Sequence, residues 1–198
     1  MILKVLKNII LFYILFSINN FVIADDVMSE SYNNYNTIQK SEWIKSVSYG
    51  ISYVELFDTN MNPQLGFSAD FMLVRKFSNI LGLRIGADIG LDMFLLENDK
   101  DLNSDIGYTM DLSLIGGYNL KDKFDIPIEF ILGIGYQFGY IGSNTVTGIN
   151  YQSKINWLLT KKYGIGVEYK NADLKMYTLL GYLDMNTNLY SIFIDIKL

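Results

Sequence analysis

The sequence predicts an all-β chain, an eight-stranded antiparallel up-and-down transmembrane β-barrel. Three observations carry that prediction. Eight segments alternate large apolar residues with small or polar ones at period two, the mark of strands with two unlike faces. The apolar face is almost free of charge in all eight, while the other mixes Gly and Ser with both signs of charge. The N-terminus reads as an export signal.

Residues 1–24 supply that signal. Lys4 and Lys7 form a positive start, an apolar run follows from Ile9 to Ile18, and Val22-Ile23-Ala24 offers a cleavage site ahead of Asp25-Asp26. The run is about half the roughly 20 apolar residues a spanning helix needs, so a cleaved signal peptide is preferred to an anchor. Residues 25–42, DDVMSESYNNYNTIQKSE, are polar without either period and read as a flexible periplasmic N-terminal segment. The barrel is assigned to 43–198.

The first strand is expected over 43–57, with Val47, Tyr49, Ile51 and Tyr53 opposing Ser46, Ser48, Gly50 and Ser52. A loop at 58–63, DTNMNP, precedes a second strand over 65–75. A turn near 77–80 leads to a third over 81–93, where Leu83, Ile85, Ala87, Ile89 and Leu91 oppose Arg84, Gly86, Asp88, Gly90 and Asp92. Residues 94–105, FLLENDKDLNSD, read as an acidic loop before a fourth strand over 106–118. After a turn at 119–127 the fifth strand, 128–140, reads IEFILGIGYQFGY. A loop at 142–148, GSNTVTG, leads to the sixth strand over 149–158. Thr160-Lys161-Lys162 turns into the seventh over 163–170, and a loop at 171–187 precedes a last strand from Tyr190 to Leu198. Consecutive strands joined this way are antiparallel neighbours.

Periodicity alone leaves open which face is inside. A soluble exported β-sandwich would bury the apolar faces, but its edge strands would be expected to carry gatekeeping charges. With the sheet inverted, the bulky groups face lipid and the small and charged ones fill a narrow lumen. In hydrocarbon every backbone polar group must be paired, so the sheet must close. Trp43, Phe57, Tyr108, Tyr118, Tyr140, Trp157, Tyr163 and Tyr190 lie near strand ends as candidate interface girdle residues.

This orientation gathers a lumen charge network: Asp70, Arg84, Asp88, Asp111, Glu129, Lys154, Glu168 and Lys170, with Asp92, Asp195 and Lys197 on the same face. Lys154 and Arg84 are expected to hold the acidic cluster together. An eight-stranded interior has room for side chains and little else, so the network reads as a plug. The alternative is a small porin-like, cation-preferring channel, because acids outnumber bases.

Other chemistry finds little support. The formal net charge of −5 and the lack of any basic face argue against nucleic acid. Cys and His are both absent, which removes disulfides, thiolate metal sites and the commonest general base. No catalytic, cofactor or metal site is assigned. Gly133, Gly135 and Gly139 miss the dinucleotide fingerprint and no helix follows them. The loop 97–105 lacks EF-hand spacing.

Signal peptide, eight alternating strands and a strand at the C-terminus together resemble the small outer-membrane barrels of the OmpX, OmpA-barrel and opacity-protein-like group. The closing YSIFIDIKL is similar to that group's terminal assembly signal, with Leu198 where an aromatic is usual. The resemblance implies outer-membrane lipid around the barrel, with the barrel-assembly machinery and periplasmic chaperones as partners. It also implies a host or surface ligand at the outward loops 94–105, 142–148 and 171–187. Barrel enzymes of this kind rely on a catalytic His, which this chain lacks, so it is read as no enzyme.

Overall fold

A computed structural model describes residues 43–57, 64–76, 82–98 and 101–198. The expected signal peptide over 1–24, the segment 25–42 and the loop 58–63 lie outside the described residues, as does the turn at 77–80.

Eight strands follow in order: β1 (Trp43–Leu56), β2 (Gln64–Lys76), β3 (Leu83–Asn98), β4 (Asp101–Asn119), β5 (Ile128–Ile141), β6 (Asn144–Leu158), β7 (Tyr163–Thr178) and β8 (Gly181–Lys197). One helical turn, α1 (Lys121–Phe124), sits between β4 and β5. Each strand pairs antiparallel with its neighbours in sequence, and β8 pairs with β1 to close the barrel. Closure leaves no strand edge unpaired, which a sheet in hydrocarbon requires. Both ends of the described chain lie together: the Leu198 amide donates to the Lys45 carbonyl at 2.9 Å. This is called the terminal end below, and the opposite one the far end.

The side chains face as the alternation demands. Along β5, Phe130, Leu132, Ile134, Tyr136, Phe138 and Tyr140 are exposed, whereas Glu129, Ile131 and Gln137 are buried. The same holds around the wall: Ile51, Leu112, Leu114 and Ile192 point out, and Ser48, Asp88, Ser113 and Asn150 point in. Such a continuous apolar exterior far exceeds the few hundred Å² a soluble monomer exposes. Tyr rings mark its far border, with Tyr53 opposite Tyr190 and Tyr190 opposite Tyr169 in register. Tyr108 lies opposite Tyr140, the ring centroids 5.3 Å apart. Trp43, Trp157 and Tyr163 are exposed at the terminal border, and Tyr118 there is half-buried. From Tyr108 to Tyr118 on β4 is about 34 Å of strand, or about 25 Å of height at ~45° tilt, the height of a hydrocarbon band.

Three expected outward loops are strand instead. β3 runs on to Asn98 and β4 starts at Asp101, in place of the loop 94–105. β6 starts at Asn144, inside the expected loop 142–148, and β7 and β8 extend to Thr178 and from Gly181, through 171–187. The reason is a change of solvent. Beyond the tyrosines the exterior turns polar and the interior apolar: on β7, Asn171, Asp173 and Lys175 face out while Ala172, Leu174 and Met176 are buried. Period two persists with its polarity reversed, as in a water-soluble sheet. On the outer face an amide ladder ties the two arms, with Asn171 Nδ2 donating to Asn188 Oδ1 at 2.8 Å and Asn186 Nδ2 to Asp173 Oδ1 at 2.6 Å.

Candidate functional site

The inward positions of β2, β3, β4, β6 and β7 converge on two lysines. Lys154 Nζ lies 2.8 Å from Asp88, 3.1 Å from Asp70 and 3.3 Å from Glu168. Lys170 Nζ lies 2.7 Å from Asp111, 3.0 Å from Asp92 and 4.0 Å from Asp70. Asp70 therefore links both centres into one belt of five carboxylates and two ammonium groups, all buried. Gln152 Nε2 adds a bond to Asp88 at 2.9 Å. Burial of so many charges is tolerable only because each lysine meets several carboxylates.

Small residues make the room. A side chain at Gly90 would strike Asp111 Oδ2 and lie 2.9 Å from Asp70 Oδ1. A Cβ at Gly133 would lie 2.7 Å from Gln152 Cγ. Glycines on this face thus leave the space that the long side chains of facing strands fill.

Arg84 is not part of the belt, which corrects the expectation that it would hold the acidic cluster with Lys154. It pairs with Glu129 and lies 3.7 Å from Asp122 of α1. Lys197 reaches Glu129 at 3.5 Å, and Lys76 reaches Asp122 at 3.0 Å. Asp195 accepts from Asn156 Nδ2 at 3.0 Å. Lys170 takes the place expected of Arg84, reaching across the lumen from β7 to Asp92 on β3 and Asp111 on β4.

An apolar layer, absent from the expectations, lies across the far mouth. Val54, Phe94, Ile141, Val146, Leu174 and Leu189, with five further residues, form one buried cluster drawn from six strands. Its signal was in the sequence, since each continues the inward phase of its strand past the tyrosine border. Between this layer and the belt lies a cavity of about 10 Å³ lined by Thr109, Gln137, Lys170, Leu174 and Leu189 among others, room for about one water. Among the described residues no group of three or more acidic side chains is arranged to hold a metal ion.

Beyond that layer the β7–β8 hairpin ends in Thr178-Leu179-Leu180-Gly181. Leu179 and Leu180 are fully exposed, and Tyr177, Tyr182 and Leu183 beside them are about half exposed. The turn is fixed by Thr178, whose Oγ1 donates to the Gly181 carbonyl at 3.1 Å and accepts from the Leu180 amide at 3.3 Å. Two-residue hairpin turns favour Asn-Gly or Gly-containing pairs. Here the positive φ falls on Gly181 at 138° and neither leucine has one, so the turn accepts side chains at both positions.

The family described as Domain of unknown function (DUF2715) matches over residues 29–194, most of the chain and every strand but the last residues of β8. The chain belongs to the DUF2715 family. No curated protein matches it in sequence. Among solved structures the DUF2715 chain is similar to Neisserial surface protein A, at 12% identity and a TM-score of 0.50 over 79% of this chain and 97% of that one. It is also similar to Ail, the attachment invasion locus protein of Yersinia pestis, at 12% identity and a TM-score of 0.47 over 80% and 99%. A third is the outer membrane protein OprG from Pseudomonas aeruginosa, at 10% identity and a TM-score of 0.45 over 80% and 97%. At this identity the first likeness shows the fold alone: DUF2715 folds as a small eight-stranded barrel.

Proposed function

We propose that this protein is an outer-membrane barrel of a Gram-negative-type envelope that works as a surface-interaction protein. Residues 1–24 direct its export as a cleavable signal peptide, and assembly machinery with periplasmic chaperones delivers it. Its lumen is closed by its own side chains, and its recognition surface is the far-end hairpins. The observation that carries this reading is the reversal of polarity on β7 and β8. An arm that is polar outside and apolar inside stands in water, above a wall that is apolar outside. Packing of Leu174, Met176, Met185 and Leu189 within the apolar cluster makes that arm a rigid support for Leu179 and Leu180, unlike a free loop. A partner that covers the leucine tip gains the burial of two whole side chains, about 1.5–3 kcal/mol each.

The second reading is a small channel for ions or small solutes. The excess of carboxylates in the belt favours it, since five acids facing two lysines attract cations. The apolar layer across the far mouth opposes it. Planar-bilayer recording separates the two: silent insertion is expected, and steady openings abolished by Asp88→Asn would replace the first reading with the second. The recognition role is tested by a binding screen on cells displaying the intact barrel or one with 171–187 replaced. Unchanged binding to every host cell and matrix ligand would remove the hairpin role.

A further inference from the structure

Among the described residues the exposed outer side chains of the two ends differ in the sign of their charge. At the terminal end the exposed side chains without an ion pair among the described residues are Lys45, Arg75, Lys121, Lys161 and Lys162, against Asp125 alone. Beyond the far tyrosines, β7 and β8 expose Asp173 and Asp184 with Lys175. The terminal-end cations stand beside the terminal aromatic border. Arg75 lies over the Trp43 ring, 5.9 Å from its centroid, and Lys161 and Lys162 sit in the turn between Trp157 and Tyr163. Trp43 is 53% exposed and Trp157 54%, both on the lipid-facing side.

From this we infer that the collar formed by Lys45, Arg75, Lys161 and Lys162 binds the headgroups of anionic phospholipids in the leaflet at the terminal end. The inference rests on the membrane reading above. An indole anchors at the depth of the headgroups, and a cation beside it in the wall or in the adjoining turn meets lipid phosphate there. Arg75 pairs with Trp43 in register at the border, and Lys45 lies two residues further along the same face, within reach of phosphate through its long flexible stem. Among the described residues the far end has one exposed cation beside a ring, Lys175 over Tyr182, with Asp173 and Asp184 near it, so the preference belongs to the terminal leaflet.

The chain contains only these two Trp residues, which makes its fluorescence a direct probe of the collar. The full barrel is refolded into phosphatidylcholine vesicles containing phosphatidylglycerol, with bromine on the acyl chains of one lipid or the other. Brominated phosphatidylglycerol is expected to quench about fivefold more effectively per molecule, the ratio for each lipid meeting one basic residue at roughly 1 kcal/mol. High salt should reduce the preference, because exposed charges are screened. The variant Lys161→Gln/Lys162→Gln keeps Arg75 on Trp43 and should lose part of it; adding Lys45→Gln and Arg75→Gln should bring the ratio to one. Equal quenching by both lipids in the unaltered protein overturns the collar while leaving the membrane reading intact. Quenching by neither removes the membrane reading and the collar with it.

Discussion

Replacing Lys154 with Met distinguishes a dry, closed lumen from a watery one. Lys154 is 1% exposed and faces carboxylates at 2.8, 3.1 and 3.3 Å. At an effective dielectric constant of about 20, each contact represents about 5–6 kcal/mol of gross Coulomb attraction. Desolvation of the ammonium and three carboxylates, several kcal/mol per ion, cancels most of that sum. What remains on removing one partner is the cost of uncompensated buried charge, about 3–5 kcal/mol. Met keeps most of the volume, so packing adds little. Reversible urea unfolding of the barrel in lipid vesicles reads the difference. Adding Asp88→Asn to Lys154→Met should recover part of the loss, because it removes one of the stranded acids. A loss below about 1 kcal/mol is what a solvated ion pair gives, and it would refute the closed belt.

Leu132→Arg places a charge on the lipid face and is expected to cost about 2–4 kcal/mol in vesicles, whereas Lys175→Glu on the far arm, which loses the Tyr182 ring and faces Asp184, should cost below about 1 kcal/mol. Gly90→Val should destabilise by about 1–3 kcal/mol through collision with Asp70 and Asp111. Gly116→Val, where no atom lies within 4 Å of the added Cβ, should be neutral or slightly stabilising in the same unfolding assay. Leu179→Ser/Leu180→Asn should leave the unfolding midpoint nearly unchanged, since both leucines are fully exposed and Gly181 supplies the positive φ of the turn. The same variant should lose any ligand found for the intact hairpin in the cell-binding screen.

The wall of the barrel was legible in the sequence because one rule governs it. Between the two aromatic borders the strands alternate apolar outside and mostly small or polar inside, Met72, Val74, Ile115, Ile131 and Phe193 being inward exceptions, so Leu132 and Asp88 declare their sides without a partner in view. The far-end extensions were hidden because the rule reverses there. Asn171, Asp173 and Lys175 read as a polar loop until Ala172, Leu174 and Met176 are counted as the inner face of the same strand. Loop-like composition there accompanies strand geometry. Within the site, the inward positions name the charged residues but not their pairing. Pairing depends on strand stagger, which puts Lys170 beside Asp111 and leaves Arg84 with Glu129. Nothing in local sequence reports that stagger.

Because the chain has no Cys, single cysteines can be introduced one at a time along β5 and spin-labelled in lipid vesicles. Oxygen and a water-soluble nickel complex then report lipid and water contact at each site from residue 130 to 138. High oxygen access at 130, 132, 134, 136 and 138, with low access to both reagents at the inward positions 131 and 137, is the predicted result. Nickel access at 132 and 134 equal to that of a label at Asp173 would contradict an apolar wall in lipid.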